Sequence, residues 1–263
     1  LRVMTGLRDV PLRSVLFTPA TRPERVAKLP GTGADLGVVD LEDAVAPSAK
    51  AEARGLARAA CRALVHEHPG FAVVVRVNPP RSELFADDVS EALVPGIAGV
   101  MVPKVESPGD LVEVRQALSA EGLTELGIIA GVESALGVLR CDDILGADLA
   151  DAVYFGAEDY VSDLGGERTT EGREVLYARS HVALVARVHG VRALDQIVPA
   201  YDDDERYRVD AAEGRSLGYT GKLCIHPRQV PLAAAAFTPS ADAIDRARRL
   251  VEHDEAALAD GVA

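Results

Sequence analysis

Short apolar runs rich in β-branched residues recur along the chain, and longer amphipathic stretches separate them. Continuous apolar runs of this length are typical of parallel strands that are buried on both faces. The pattern predicts eight strands: Ser14–Thr18, Gly37–Leu41, Ala72–Val77, Gly99–Pro103, Gly127–Val132, Ala152–Phe155, Leu194–Val198 and Lys222–Ile225.

The stretches between the strands carry apolar residues at helical spacing. They predict helices over Ser48–Val65, Ser107–Leu118, Glu174–Val188 and Ala241–Leu258. In the first of these helices, Lys50, Glu52, Arg54 and Arg58 lie on the face opposite to the apolar residues. The acidic run Asp202–Glu205 fits the start of a further helix, where negative charge complements the helix dipole.

Eight strand–helix units in about 250 residues are typical of an α/β protein of the (β/α)8 TIM-barrel class. An open doubly wound sheet is less compatible, because no G-x-G-x-x-G follows the first strand. We expect a single TIM-barrel domain over residues 1–263, with the barrel at about 13–236 and a C-terminal helical extension at about 240–259.

Composition narrows the classes of protein that fit. The chain has 28 basic and 41 acidic residues, a net charge of −13, and no basic stripe, which disfavours nucleic-acid binding. Its 48% apolar residues suffice for a core, yet no apolar run approaches the roughly 18 residues of a membrane span. Leu1–Leu12 does not resemble a signal peptide, and three widely spaced cysteines favour a reducing compartment. We therefore expect a cytoplasmic protein with no membrane partner.

Polar residues follow most of the predicted strands. In a TIM barrel, the active-site groups project from the C-terminal ends of the strands and from the loops that follow. The residues in these positions are Asp40, Glu42, Asp43, Arg76, Asn78, Lys104, Glu133, Glu158, Asp159 and His226. Acidic groups, one Arg and one Lys thus converge on one rim, which is where we expect the site.

Glu133 and Asp159 form the pair with the clearest chemistry. They follow adjacent strands, which lie about 4.8 Å apart, so both carboxylates can reach one ion. Two carboxylates with room for substrate oxygens and water suit Mg²⁺, which rarely receives a full protein cage. The alternative is that both residues are helix N-caps or exposed loop acids.

The remaining polar residues leave two interpretations each. Arg76 could clamp a substrate carboxylate through two parallel hydrogen bonds, or form a structural ion pair with Asp40 or Asp43. The acids Asp40, Glu42 and Asp43 could form a second layer that holds water or Lys104, or a solvated turn.

Three further positions are open in the same way. Arg22 and Arg25 flank Pro23 in the first βα loop, where they could meet a phosphate-bearing ligand or lie free on the surface. His226, before Pro227, could act as a base, although a histidine in this position more often fixes the loop.

Several motifs occur together and in a fixed order: Ser14–Arg25, Asp40–Val45 with Lys50 and Arg54, Arg76–Asn78, Val102–Val105, Gly156–Asp159 and Gly221–Pro227. Together they resemble the citrate lyase β-subunit-like proteins of the HpcH/HpaI aldolase/citrate lyase family, from about residue 13 to residue 250. Each motif is weak alone, but the joint pattern is specific.

This resemblance implies a homotrimeric TIM barrel that binds Mg²⁺ and cleaves or forms a carbon–carbon bond next to a thioester or keto acid. By analogy, Glu133 and Asp159 match the metal ligands and Arg76 matches the arginine that binds the substrate carboxylate. Arg22 and Arg25 lie where coenzyme A is held, and the backbone N–H groups around Gly156, Ala157, Glu158 and Asp159 would orient the keto-acid carboxylate.

Members of this family that act on malyl- or citramalyl-CoA carry a further C-terminal segment, whose Asp enters a neighbouring subunit's site as the acid/base. The present sequence ends Asp260-Gly-Val-Ala263 without it. Either that segment lies outside this sequence or the base comes from elsewhere, so the general acid/base stays unassigned.

The sequence therefore favours a Mg²⁺-dependent carbon–carbon lyase that cleaves a citryl, citramalyl or malyl thioester, carried by coenzyme A or a carrier protein, to a 2-oxo acid and an acyl thioester. Two alternatives stay open: a class II aldolase acting on free 4-hydroxy-2-oxo acids, and a non-catalytic accessory subunit that binds acyl-CoA. Citrate lyase would also require carrier and transferase subunits as partners.

Overall fold

The computed structural model describes residues 6–259, with side chains to residue 254. Eight parallel strands pair in sequence order into a closed barrel, because β8 pairs with β1. The strands are β1 Ser14–Pro19, β2 Leu36–Asp40, β3 Ala72–Arg76, β4 Gly99–Val102, β5 Gly127–Val132, β6 Ala152–Phe155, β7 Arg192–Asp195 and β8 Gly221–Cys224. The predicted α/β TIM-barrel class is confirmed.

Helices lie between and after the strands. They are α1 Pro23–Val26, α2 Lys50–Glu67, α3 Phe85–Ala92, α4 Pro108–Ala120, α5 Ala135–Leu139, α6 Cys141–Gly146, α7 Ala157–Leu164, α8 Arg173–Val188, α9 Asp204–Leu217, α10 Gln229–Phe237 and α11 Ala241–Ala259. Short 3-10 turns occupy Leu7–Asp9, Leu29–Thr32 and Pro47–Ala49. The helix α11 is the predicted C-terminal extension.

Two helix starts show how local sequence builds the fold. Ser107 accepts a hydrogen bond from the backbone N–H of Asp110, and the Asp110 carboxylate accepts one from the backbone N–H of Ser107, which completes a capping box before α4. Asp203 caps α9 by accepting from the N–H of Arg206. The acidic run therefore begins a helix, as predicted.

The seventh strand differs from the sequence prediction of Leu194–Val198. Its ladder runs from Arg192 to Asp195, where Asp195 pairs with Lys222 of β8. Val198 lies beyond the end of the strand but is only 3% exposed. The apolar run continues past the strand because the following loop is also buried, so hydrophobicity alone misplaced the strand end.

The core has two layers, as expected of a barrel. Inside the barrel, alternate strand residues pack together, among them Val15, Val38, Val74 and Ile129. Between the strands and the helices lies a larger cluster that contains residues such as Val39, Val75 and Val153. Neighbouring strand residues thus point to opposite layers, which explains why the strands read as continuous apolar runs.

The polar face predicted for α2 is partly wrong. Lys50 is 9% exposed and Arg54 is 5% exposed, so the structure buries both cations. Lys50 Nζ donates to the carbonyl oxygens of Leu41 and Glu42 at 2.6 and 2.7 Å. Arg54 Nε donates to Asp88 at 2.8 Å. These cations satisfy buried acceptors near the end of β2 and in α3, which a helical-periodicity argument does not detect.

Within residues 6–259, no helix is long and apolar enough to span a membrane. The three cysteines, Cys61, Cys141 and Cys224, are all free and buried.

Candidate active site

A cavity of about 420 Å³ opens at the C-terminal ends of the strands. It brings together many of the residues that the sequence analysis placed on this rim: Asp40, Asp43, Arg76, Glu133, Gly156, Ala157, Glu158 and Asp159. The cavity also has an apolar wall of Phe17, Ile197, Leu223 and Ile225. It thus combines convergent charged groups with apolar surface, as ligand sites commonly do.

Glu133 and Asp159 reach this cavity from neighbouring strands. Glu133 directly follows β5 and is 3% exposed, whereas Asp159 lies in the first turn of α7 with 38% of its side chain exposed. Gly156 allows the close approach of Glu133, because a Cβ at position 156 would lie 2.5 Å from Oε1 of Glu133. The glycine therefore makes room for a buried carboxylate beside the more exposed one.

The surroundings of Glu133 disfavour its negative charge. Burial, followed by the negative charge of Glu42, raises the pKa of Glu133 to about 7. Burial also raises the pKa of Asp159. Among the described residues, no group of three or more His, Cys, Asp or Glu side chains forms a ready metal cage. A pair of carboxylates with local excess negative charge fits Mg²⁺, which keeps several water or substrate oxygens as ligands.

Lys104 connects the acidic groups through both its backbone and its side chain. Its N–H donates to Oε2 of Glu133 at 3.1 Å, and its Nζ donates to Oε1 of Glu42 at 2.6 Å. Lys104 has φ +54°, a left-handed conformation that is strained for a residue with a Cβ. Such strain clusters at functional sites, where the surrounding contacts hold it in place.

Arg76 forms the ion pair that the sequence left as one of its two interpretations. Its Nε and Nη2 donate to the two carboxylate oxygens of Asp40 at 2.8 and 2.6 Å. Its Nη1 lies 2.9 Å from Oε2 of Glu42, and its guanidinium stacks 4.9 Å from the centre of the Phe17 ring. The hydrogen bonds to Asp40 use two of the five N–H donors of a guanidinium, and the contact with Glu42 is an ion pair without hydrogen-bond geometry, so donors remain while the side chain lines the cavity.

The second acidic group is divided between the interior and the surface. Asp40 and Glu42 are 1% and 2% exposed, so they do not form a solvated turn, whereas 56% of the Asp43 side chain is exposed. Lys104 Nζ lies 3.7 Å from Asp43 and 2.6 Å from Glu42. These contacts agree with the interpretation that the acids form a second layer around Lys104.

The start of α7 supplies backbone donors to the cavity. Gly156 is the N-cap residue and has no side chain that could accept a hydrogen bond from the first turn. The first N–H groups of a helix lack intrahelical partners and carry partial positive charge. Gly156, Ala157, Glu158 and Asp159 line the cavity, so this end of the helix can bind an anionic oxygen there.

Arg22 and Arg25 lie apart from the described lining of the cavity. They are exposed at the N-cap and in the body of α1, which follows β1 at the same end of the barrel. His226 lies in the loop after β8, where its Nδ1 accepts a hydrogen bond from the N–H of Arg228 and its ring stacks on Tyr201. These contacts are those of a residue that fixes the loop.

Tyr154 lines the cavity from inside the barrel but was not predicted as a site residue. Tyr154 is 1% exposed, and burial together with the Glu133 charge raises its pKa well above the ordinary value. Tyr154 and Ala152 are two residues apart in a predicted strand, so their side chains lie on the same face. The sequence did not indicate whether that face points into the barrel.

The family of the chain follows from its similarity to known proteins. Residues 13–227 match the family model of HpcH/HpaI aldolase/citrate lyase. This match covers most of the chain and agrees with the motifs, the closed parallel barrel and the acidic cavity. The chain belongs to the HpcH/HpaI aldolase/citrate lyase family.

Similar proteins include lyases of the citrate lyase β-subunit type. A citrate lyase subunit beta-like protein of Deinococcus radiodurans is 49% identical, over 95% of this chain and 88% of the relative. Citrate lyase subunit beta of Escherichia coli is 35% identical, over 95% and 84%. The mitochondrial citramalyl-CoA lyase of Homo sapiens is 31% identical, over 92% and 75%.

Two solved structures from Mycobacterium tuberculosis are similar in fold. Citrate lyase beta subunit complexed with oxaloacetate and magnesium has a TM-score of 0.75 and 35% identity, over 89% of this chain and 99% of that chain. Protein CitE in complex with magnesium, acetoacetate and coenzyme A has a TM-score of 0.78 and 35% identity, over 95% and 89%.

Proposed function

We propose that the protein is a Mg²⁺-dependent carbon–carbon lyase that cleaves a 3-hydroxyacyl thioester to a 2-oxo acid and an acyl thioester. Its substrate class comprises citryl, citramalyl and malyl thioesters. The observation that carries this proposal is the pair Glu133 and Asp159, which meet in one cavity with excess negative charge beside Arg76. The relatives that act on citrate or citramalyl-CoA support the same class of substrate.

Glu133 and Asp159 are the residues that would hold Mg²⁺. Their fit to the ion rests on the donor set, two carboxylates, and on the raised pKa of both groups, which nearby positive charge would reverse. When bound, the ion supplies Lewis-acid polarisation of a substrate oxygen. The similar M. tuberculosis structures contain magnesium, which supports a magnesium site in this protein.

Arg76 and the start of α7 would hold the 2-oxo acid. The remaining N–H donors of Arg76 and the uncapped N–H groups from Ala157 to Asp159 line the same cavity. A carboxylate between them would be oriented by charge-assisted hydrogen bonds from both sides. In the cleavage, the substrate hydroxyl loses its proton and the bond between C2 and C3 breaks. The thioester fragment then takes up a proton at C2.

Arg22 and Arg25 are proposed to bind the phosphate groups of the thioester carrier. Both are exposed at the rim of the barrel that also carries the cavity. An exposed pair of guanidinium groups suits the multiple charges of coenzyme A or of a phosphopantetheine arm. The apolar side chains of Ile197, Leu223 and Ile225 would face the less polar part of the substrate.

The test is a substrate panel with a metal control. The protein is incubated with Mg²⁺ and with malyl-, citramalyl- or citryl-CoA, beside free 4-hydroxy-2-oxo acids, and mass spectrometry follows the products. We expect acetyl-CoA together with glyoxylate, pyruvate or oxaloacetate, and we expect this product to disappear with EDTA. Pyruvate from the free acids alone would instead identify an aldolase and contradict the thioester lyase.

A second measurement separates catalysis from binding. Isothermal titration with the same acyl-CoA thioesters, at saturating Mg²⁺, reports affinity independently of turnover. Binding with no product from any of the thioesters would contradict the lyase and support the accessory acyl-CoA-binding protein. Arg22→Ala should weaken binding of the thioester without changing affinity for the free 2-oxo acid.

A further inference from the structure

Tyr154 occupies a place inside the barrel that a glycine leaves free. Gly131 of β5 and Tyr154 of β6 are direct partners in the strand register. A Cβ at position 131 would lie 2.5 Å from both Cζ and the hydroxyl oxygen of Tyr154, closer than any side chain tolerates. The phenol therefore lies where it does because its cross-strand neighbour has no side chain.

The hydroxyl of this tyrosine is buried beside the cavity and, among the described residues, makes no hydrogen bond. Tyr154 is 1% exposed and lines the cavity, and among the described residues its hydroxyl has no hydrogen-bond partner. Buried hydroxyl groups almost always have such a partner, because removing them from water is otherwise costly. We therefore expect the hydroxyl to donate to an acceptor in the cavity when the site is occupied.

A suitable acceptor in the same cavity is the carboxylate of Glu133. Glu133 lies two residues beyond Gly131, the strand partner of Tyr154, and both side chains line the cavity. One oxygen of Glu133, Oε2, already accepts the N–H of Lys104 at 3.1 Å, and Gly156 leaves the space that the carboxylate occupies. A phenol is a hydrogen-bond donor as well as an acceptor, whereas an ionised carboxylate only accepts.

We propose that Tyr154 is a positioning residue that donates its O–H to Glu133 and fixes this carboxylate in the orientation that binds Mg²⁺. Lys104 would hold the carboxylate from the loop after β4 and Tyr154 from β6, so the ligand is fixed from both sides. Hydrogen bonds to ligating carboxylates orient them and tune their affinity for the metal. The inference rests on the metal site of the proposed function and adds the residue that orients it.

The test is Tyr154→Phe, which keeps the ring beside Gly131 and removes only the hydroxyl. Isothermal titration with MgCl₂ measures the affinity of the ion without any substrate. We expect Mg²⁺ to bind roughly 10-fold to 100-fold more weakly than to the unchanged protein, the range for residues that support a metal ligand. Tyr219→Phe is the matched control, because Tyr219 is also buried but donates to the carbonyl oxygen of Arg179.

A second variant tests the same inference through its neighbour. Gly131→Ala introduces the Cβ that collides with the phenol, so it should displace the hydroxyl and also weaken Mg²⁺ binding while Tyr154 is retained. Urea unfolding of each variant shows that the titrated protein is folded. A purely structural role for Tyr154 would lower stability and leave the affinity for Mg²⁺ unchanged.

The outcomes separate this inference from the proposed function. Equal Mg²⁺ affinity of the unchanged protein and Tyr154→Phe overturns the role of Tyr154 and leaves the metal site intact. A similar loss in Tyr219→Phe also overturns it, because the effect would then belong to any buried tyrosine. Absence of Mg²⁺ binding to the unchanged protein overturns the metal site itself, and the inference with it.

Discussion

Two of the clusters of buried charge among the described residues differ in how completely their charges are paired. The site cluster consists of Asp40, Glu42, Arg76, Lys104, Glu133 and Asp159, around the cavity. The β7–β8 network consists of Arg179, Asp195, Asp210, Glu213 and Lys222, between strands and helices. Both contain one arginine, one lysine and several carboxylates, so residue types alone do not distinguish them.

The β7–β8 network is nearly balanced. Arg179 donates to both oxygens of Asp195 at 2.8 and 2.7 Å, and Lys222 Nζ donates to Asp195 at 2.7 Å and also to Asp210. Gly214 of α9 permits this packing, because a Cβ there would lie 2.3 Å from the Asp195 carboxylate. Lys222 and Arg179 outweigh the burial of Asp210, so its pKa is lowered.

The site cluster has four carboxylates and two cations, so negative charge is in excess. Burial and the nearby Glu42 charge raise the pKa of Glu133, and this residue lines the cavity. Removing one partner from a balanced buried cluster is costly, whereas an unbalanced cluster with a perturbed carboxylate at a cavity is a candidate binding site. Burial acts on both Glu133 and Asp210, so charge balance, more than burial, separates the β7–β8 network from the cluster proposed to bind substrate and metal.

The largest effect is expected from Glu133→Gln. Removing this carboxylate takes away one of the two proposed metal ligands and the Lewis-acid catalysis that depends on them, so turnover should fall by about 10³-fold or more. Initial rates with the best thioester of the panel measure this, and unfolding in urea checks the fold. A variant with near-normal turnover would contradict the assignment of Glu133.

The second effect sharpens the comparison from the structural side. Lys222→Met removes one cation of the β7–β8 network and leaves Asp195 and Asp210 underpaired. Loss of one partner of a buried ion pair should lower the free energy of unfolding by about 3–5 kcal/mol. The affinity of the folded variant for Mg²⁺ should not change. Weaker binding of the ion would show that the two clusters are coupled.

A matched pair of arginine substitutions gives the third prediction. Arg76→Lys and Arg179→Lys keep the charge but lose the planar fork that binds carboxylates at two points. Arg76→Lys should weaken binding of a 2-oxo acid about tenfold, the loss of one charge-assisted hydrogen bond. Arg179→Lys should lower stability and leave that affinity unchanged. Titration with oxaloacetate and urea unfolding distinguish the two, and unchanged affinity in Arg76→Lys argues against its role as a clamp.

The smallest effect concerns acid stability. The pKa of Asp210 in the folded protein is below its ordinary value of 3.8, so the unfolded chain binds this proton more readily. Its contribution to stability is therefore present above that ordinary value and is lost as the pH falls through the folded pKa, by at most about 1.4 kcal/mol per pH unit. Urea unfolding between pH 6 and pH 3 measures the slope, and Asp210→Asn should reduce it.

The positions of the strands and of the charged residues that follow them were largely predictable. The strands are buried on both faces, so each reads as a continuous apolar run, and the C-terminal ends of parallel strands all meet at one rim. The seventh strand was displaced because hydrophobicity does not distinguish a paired strand from the buried loop that contains Val198.

Other features were not predictable because they depend on residues far apart in the sequence. The burial of Lys50 depends on the carbonyl groups of Leu41 and Glu42, and the ion pair of Arg76 depends on a neighbouring strand. Lys104 was placed at the site by its position, but its left-handed backbone was not foreseen.

Local sequence patterns were enough to establish the class of fold, the rim where the candidate site lies and the family of the protein. These depend on periodicity and on short motifs, which are local properties of the chain. Which charges are paired, and which carboxylate lacks a cationic partner, became visible only in the folded barrel. The tertiary structure also decided that Tyr154 fills the space left by Gly131, because the register between two strands sets that contact. Pairing and register are properties of the closed barrel, so no single segment specifies them.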